Sequence, residues 1–311
     1  MEKKTRPQPV VKHVANRLPR QPSAPSPFRQ SRQAPQAAEP KKVDAKREDA
    51  EPGSREVKPG FGEIKLYGLN ACQTLARRRM DDIIRVYVTE DRIKNMGHAL
   101  SWCAQNKRAY HVVTPEDMAR ISESVHHEGV CILAKARKEL DFGELVARER
   151  TISGPRCIVY LENVGNPHNL GAILRVCSHF GAQAVLVYSE DGSLKGMSPV
   201  VYRTAEGGAE TVDVIFTQEP SRALKALRNA GFTLMATSSH CKESLFDSPL
   251  PQKLLVMLGS ESSGLSSATY REAQLQVQIP GSGDVESLNV ACAASTILGE
   301  YWREYRVKKT R

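Results

Sequence analysis

The sequence predicts an α/β protein in which a parallel sheet carries the chemistry and a smaller α/β unit precedes it. From Glu63 onward, short apolar runs alternate with amphipathic helical patterns, the signature of strand-helix units stacked in layers. A charged stretch at residues 136–154 ends in Ser153-Gly154-Pro155 and divides two such series. In the second series three glycine-bearing turns each follow a predicted strand.

Residues 1–60 come first and have a different texture. They hold 14 Lys/Arg against 7 Asp/Glu, so +7 of the chain's +9 sits there, with ten of its eighteen prolines. Runs such as Gln21-Pro22-Ser23-Ala24-Pro25 bury too little apolar surface to offset the entropy of ordering, so a disordered basic tail is expected. Its charge suits sequence-independent attraction to phosphates; the alternative is a solubilising tail with no partner.

The first α/β series is placed at 61–135. Ile64 to Tyr67 reads as a strand, Asn70 to Arg79 as a helix, Ile83 to Val88 as a strand and Ile93 to Asn106 as a helix. Tyr110 to Val113 is extended, Thr114-Pro115-Glu116-Asp117 is a capped helix start, and Gly129 to Ala134 closes the unit as a strand. Residues 136–154 form a linker with a short helix across Leu140 to Arg148.

The second series, 155–311, opens with the apolar strand Cys157 to Leu161, a helix from Asn169 to Phe180 and the strand Ala184 to Tyr188. Further strands are expected at Val212 to Phe216, Thr233 to Thr237, Leu254 to Leu258 and Leu275 to Ile279. A helix fills Glu219 to Asn229, and another, Leu288 to Tyr305, ends the series. Strand alternating with helix implies a parallel sheet.

Composition excludes several classes. No apolar run of signal-peptide length follows Met1, and none of about 18 residues occurs anywhere, so a cytoplasmic protein without a membrane partner is expected. Seven cysteines, at 72, 103, 131, 157, 177, 241 and 292, form no Cys-x-x-Cys pair, which argues against both a zinc site and a disulfide framework. His126 and His127 are adjacent, so they point to opposite sides of an extended segment and do not chelate. No metal is expected.

The chemistry is expected at the three turns, because ligands of parallel α/β sheets collect beyond the carboxyl ends of the strands. They are Asn166-Pro167-His168-Asn169-Leu170-Gly171-Ala172-Ile173-Leu174-Arg175, then Gly259-Ser260-Glu261-Ser262-Ser263-Gly264-Leu265, then Ile279-Pro280-Gly281-Ser282-Gly283-Asp284-Val285-Glu286-Ser287-Leu288-Asn289. The third looks like a dinucleotide fingerprint, but Glu286 stands where the third glycine belongs. The second matches Gly-x-Ser-x-Gly in no register, and no Walker lysine motif is present.

Taken in order, the three segments resemble the motifs of the SpoU/TrmH branch of the SPOUT methyltransferases. Ser124-Val125-His126-His127-Glu128-Gly129-Val130 is similar to the end of that family's small RNA-binding domain. Ser198-Pro199-Val200-Val201 and Ala205-Glu206-Gly207-Gly208-Ala209-Glu210 resemble its rRNA-modifying subgroup. The resemblance covers roughly residues 60–305. It implies a trefoil-knotted, parallel-sheet catalytic domain, a smaller N-terminal α/β RNA-binding domain, and a homodimer formed through the catalytic domain. It implies transfer of methyl from S-adenosylmethionine to a ribose 2′-hydroxyl of tRNA or rRNA.

Residue by residue, the resemblance places Asn169 and Arg175 beside the acceptor ribose, with Glu261, Ser287 and Asn289 completing the catalytic pocket. Gly259, Ile279 and Leu288, together with Ser287 and Asn289, are implied to hold the cofactor. Structural roles compete: Asn169 as a helix N-cap, Glu261 as acceptor for a backbone N–H, Ser287 as cap of the last helix, Arg175 as an exposed ion-pair partner. Trp302 and the face Ala291-Ala294-Ser295 suit close packing. One departure is Ala291, where the family usually has serine; it keeps open a catalytically weak or silent RNA-binding member of the same fold.

Overall fold

The computed structural model describes residues 58–192, 196–238 and 241–305. The chain divides into residues 1–49 and 50–311, and all described residues belong to the second part. The expectation of a disordered tail at 1–60 falls, save for its last three positions, outside the described residues.

The first sheet is built from β1 (Glu63–Tyr67), α1 (Leu69–Arg78), β2 (Ile83–Val88), α2 (Ile93–Gln105), β3 (Ala109–Val112), α3 (Pro115–Ser122) and β4 (Val130–Lys135). Its order is β1-β4-β2-β3, with β4 antiparallel to β1 and β2, and β2 parallel to β3. Leu66, Val86 and Ile132 bury one face with Leu75 and Leu100. Tyr67, Tyr87 and Cys131 bury the other with Met118 and Ile121 of α3. The cap read at Thr114 is present: its hydroxyl accepts from the Asp117 N–H at 3.2 Å.

The connecting segment folds as α4 (Phe142–Thr151), shifted from the expected Leu140 to Arg148. Asp141 sets its start, since its carboxylate accepts from the Gly143 and Glu144 N–H groups at 2.7 and 3.2 Å. Glu149 near its end is fully buried and receives Arg156 at 2.7 Å.

The second sheet contains β5 (Arg156–Glu162), β6 (Ala184–Tyr188), β7 (Asp213–Phe216), β8 (Thr233–Thr237), β9 (Lys253–Leu258) and β10 (Leu275–Val277) in the order β10-β8-β9-β5-β6-β7. Every pairing is parallel; Val159, for example, stands between Val185 and Val256. The strands are continuous apolar runs because helices cover both faces. On one face lie α5 (Pro167–Phe180), α6 (Pro199–Thr204) and α9 (Val290–Tyr305); on the other lie α4 and α7 (Pro220–Asn229). A short α8 (Ser267–Arg271) follows β9. The chain moves from β5 outward to β6 and β7, then continues on the opposite side with β8 and β9. The switch point therefore lies between β5 and β9.

Gly171 lets α5 approach α6. A Cβ there would stand 2.6 Å from the Thr204 Cβ and 2.9 Å from the Val201 carbonyl oxygen. In α9, Ala291 and Ala294 are buried as expected, whereas Trp302 is 41% exposed.

The two sheets are fastened together. Arg79, just after α1, donates from Nε and Nη2 to the two carboxylate oxygens of Glu210 at 2.8 and 2.9 Å, and from Nη1 to the Lys135 carbonyl at 2.6 Å. Arg203 of α6 donates to the His126 carbonyl at 2.9 Å and to Glu128 at 3.2 Å. Gly207 sits so close to α1 that a Cβ would stand 2.3 Å from the Thr74 hydroxyl. One apolar core runs through both sheets, from Leu66 and Leu75 to Tyr202 and Ala205.

Candidate active site

Three turns meet at the carboxyl ends of β5, β9 and β10. The first is set by Asn166, whose side-chain oxygen accepts from the His168 N–H at 2.9 Å, with Pro167 at the first helical position. Asn166, rather than Asn169, is therefore the N-cap of α5. Asn169, three residues later, is free to point at the other turns. Its Nδ2 donates to Glu261 Oε1 at 3.2 Å.

The second turn folds on itself. The Gly264 N–H donates to the Ser260 carbonyl at 2.9 Å, and Gly264 adopts a φ of 65°. A Cβ on Gly259 would lie 2.0 Å from the Gly264 carbonyl carbon, so no other residue fits this hairpin. The closure presents Glu261 outward, toward the asparagines.

The third turn delivers Asn289, whose Nδ2 donates to Glu261 Oε1 at 2.6 Å and to Asn169 Oδ1 at 3.1 Å. Its other end, Oδ1, accepts from the Ala291 N–H at 2.8 Å. Asn289 thus caps α9, the role weighed for Ser287. Ser287 and Leu288 are exposed on the same loop, Leu288 at 52%, while Ile279 is partly buried and packs against the main core. Ser287 is outside the hydrogen-bonded cluster.

Asn169, Glu261 and Asn289 are 28 to 120 residues apart in sequence and form one exposed triad. A carboxylate held by two amide groups, with no cation in the triad, is a suitable neighbour for a positively charged or hydroxyl-bearing ligand. Among the described residues no group of three or more His, Cys, Asp or Glu side chains could hold a metal. No described helix is long and apolar enough to cross a membrane.

Arg175 is placed elsewhere. Six residues beyond Asn169 it has turned by about 240° around the helix axis, and its side chain is 63% exposed, 3.8 Å from Glu206. Within one chain it does not join the triad. It faces a cleft of about 310 Å³ between α1 and α5, which sequence reasoning did not anticipate; the signal was the pair Arg77-Arg78 at the end of a predicted helix. His126 and His127 are structural: the His126 carbonyl receives Arg203, and His127 Nδ1 accepts from the Gly129 N–H at 2.9 Å.

Comparison with solved structures places the fold. The crystal structure of an RNA 2′-O ribose methyltransferase covers 78% of this chain and 89% of its own at a TM-score of 0.65 and 24% identity. The SpoU methyltransferase AviRb of Streptomyces viridochromogenes, crystallised with AdoMet, covers 78% and 91% at a TM-score of 0.63 and 20% identity. At these identities the likeness establishes a SPOUT methyltransferase fold. Residues 156–299 match the SpoU rRNA Methylase family, and residues 65–140 match the family described as RNA 2′-O ribose methyltransferase substrate binding. An uncharacterized tRNA/rRNA methyltransferase, YfiF, of Escherichia coli O157:H7 is 38% identical over 242 residues, 78% of this chain and 68% of that protein. The 23S rRNA (guanosine-2′-O-)-methyltransferase RlmB of Pseudomonas putida is 29% identical over 248 residues, 79% of this chain and 98% of that protein. The chain belongs to the SpoU methylase family.

Proposed function

We propose that the protein is an S-adenosylmethionine-dependent RNA methyltransferase acting on a ribose 2′-hydroxyl of tRNA or rRNA. The observation that carries this reading is the Asn169-Glu261-Asn289 triad, assembled from three turns at the switch point of a SpoU-family sheet. The residues fit the cofactor: the hairpin at Gly259 brings main chain where a Cβ would obstruct it, Leu288 offers apolar surface, and Glu261 offers a carboxylate suited to a sulfonium. Gly259, Ile279, Ser287, Leu288 and Asn289 would hold it. When bound, S-adenosylmethionine supplies a methyl group on an activated sulfonium leaving group.

The chain's own part is alignment and charge. Holding the attacking hydroxyl in line removes much of the entropic barrier, and its proton must leave as the new carbon-oxygen bond forms. Asn169 and Asn289 fix the Glu261 carboxylate and leave their remaining polar capacity for the ribose. Arg175 stabilises the developing alkoxide or the adjoining phosphate; a guanidinium gives up its proton too reluctantly to serve readily as a base, which makes proton abstraction its second role.

The protein acts as a homodimer through its catalytic domain. The distance of Arg175 from its own triad supports this reading, as do exposed Val285, Leu288 and Trp302: a second copy brings the missing arginine and covers apolar surface. The division into a tail at 1–60, an RNA-binding domain at 61–135, a linker at 136–154 and a knotted catalytic domain at 155–311 belongs to the same proposal, as does a cytoplasmic location. Calorimetry with S-adenosylmethionine, followed by transfer of labelled methyl to total cellular RNA, tests it. Binding with ribose-methylated product supports it; RNA binding without transfer would identify a silent member of the fold.

A further inference from the structure

The triad leaves one feature unused: the cleft between α1 and α5. Its walls are Thr74, Arg77 and Arg78 from the first sheet's domain, and Arg175, His179 and residues 205–208 from the second. Three arginines therefore line one opening. The sole lining carboxylate, Glu206, is committed to Asn70, with which it hydrogen bonds, and lies 3.8 Å from Arg175. Among the described residues no carboxylate pairs with Arg77 or Arg78. Arg77 is oriented by a bond from Nη2 to the Thr74 hydroxyl at 3.0 Å, and Arg78 is exposed.

Like charges gathered around a single carboxylate cost stability, so three arginines that share only Glu206 at a seam are expected where an anionic ligand completes them. The walls are rigid. Gly207 and Gly208 press against Thr74 and the Leu174 carbonyl, at Cβ distances of 2.3 and 2.7 Å, and the Arg79-Glu210 pair beneath them joins the domains. Glu206 holds a left-handed φ of 52°, a strained conformation of the kind that surrounding structure retains at functional positions. The planar guanidinium fork matches phosphate oxygens.

We propose that this cleft binds the RNA phosphate backbone, with Arg77 and Arg78 from one domain and Arg175 from the other as its phosphate ligands. The inference rests on the methyltransferase reading for the identity of the polyanion. It assigns Arg77 and Arg78 to the positioning of RNA and not to the chemistry. A strand held there would run past the helix that carries both Asn169 and Arg175.

The test is the full-length double variant Arg77→Ala/Arg78→Ala, with Arg77→Lys/Arg78→Lys as the charge-retaining control. Binding of a labelled RNA hairpin with a single-stranded loop is measured across a salt series. Each lost phosphate contact removes about 0.7 from the slope of log affinity against log salt. The alanine variant should show a slope shallower by about 1.4, and binding weaker by about 15-fold at ~0.15 M and about 65-fold at ~0.05 M salt. The lysine variant should keep most of both, with S-adenosylmethionine affinity unchanged throughout. Unchanged RNA affinity and slope in the folded alanine variant would overturn the proposal. Because binding is read without turnover, failure of the cleft is distinct from failure of the methyltransferase reading, which would show as wild-type protein without S-adenosylmethionine binding or methyl transfer.

Discussion

Asn289 does two jobs with one amide: its oxygen terminates α9 and its nitrogen ties Glu261 to Asn169. Replacement by serine keeps an acceptor suited to capping but removes the longer amide N–H group that reaches Glu261 and Asn169, so the two jobs separate. Asn289→Ser should retain the thermal midpoint while single-turnover methyl transfer falls about 10²- to 10³-fold, the scale seen when a positioned donor is deleted from an active site. Asn289→Ala should add a stability loss of about 1 kcal/mol from the missing cap. Equal rates for serine and wild type would remove Asn289 from the chemistry. Arg175 is distinguished by its pH behaviour. Arg175→Lys should slow single-turnover transfer at least about tenfold by losing the fork and leave the pH-rate profile where it was. A profile displaced toward the lysine range near ~10.4 would instead identify position 175 as the proton acceptor.

At the scale of elements, α5 is held by a proline at its start and a glycine on its inner face. Alanine at 171 would gain about 1 kcal/mol of helix propensity. Its Cβ would also meet Thr204 at 2.6 Å and, at 2.9 Å, a main-chain oxygen that cannot swing aside. Overpacking of this kind costs about 1–3 kcal/mol, so Gly171→Ala should lower the denaturation midpoint; a raised midpoint would show that α6 yields. Most strands and long helices were legible because their apolar runs and periodicity are strong, and β2 and β6 match residue for residue. Short α6 and α8 were missed, six and five residues being too few for a 3.6-residue period to register. The cap of α5 was readable in principle: proline favours the first helical position, which makes the preceding Asn166 the cap. The three turns were legible as a set, but the bonds among Asn169, Glu261 and Asn289 were not, since they close over separations that no local pattern encodes. The cleft at Arg77 and Arg78 was invisible for the same reason, because its second wall lies about a hundred residues away.

Across the whole molecule, charge is spent on joining parts. Glu149 at the end of α4 is buried, which alone would raise its pKa, but hydrogen bonds and charge from Arg156, with help from Arg148, outweigh burial and hold it below its ordinary value of 4.5. A carboxylate whose pKa is lower folded than unfolded contributes stability in full above the unfolded value and loses it as pH falls through the folded one. The wild-type thermal midpoint should therefore drop as the medium is acidified below about 4.5, and Glu149→Gln should be less stable at neutral pH with a flatter acid limb. Parallel acid limbs would place the acid sensitivity elsewhere. The junction of the domains is similarly fixed, through Arg79 with Glu210 and Arg203 with Glu128. A hinge would let the enzyme adapt its reach to many RNAs. A junction held by these pairs sets one fixed separation between Arg77 and Arg78 on the first domain and Asn169 on the second.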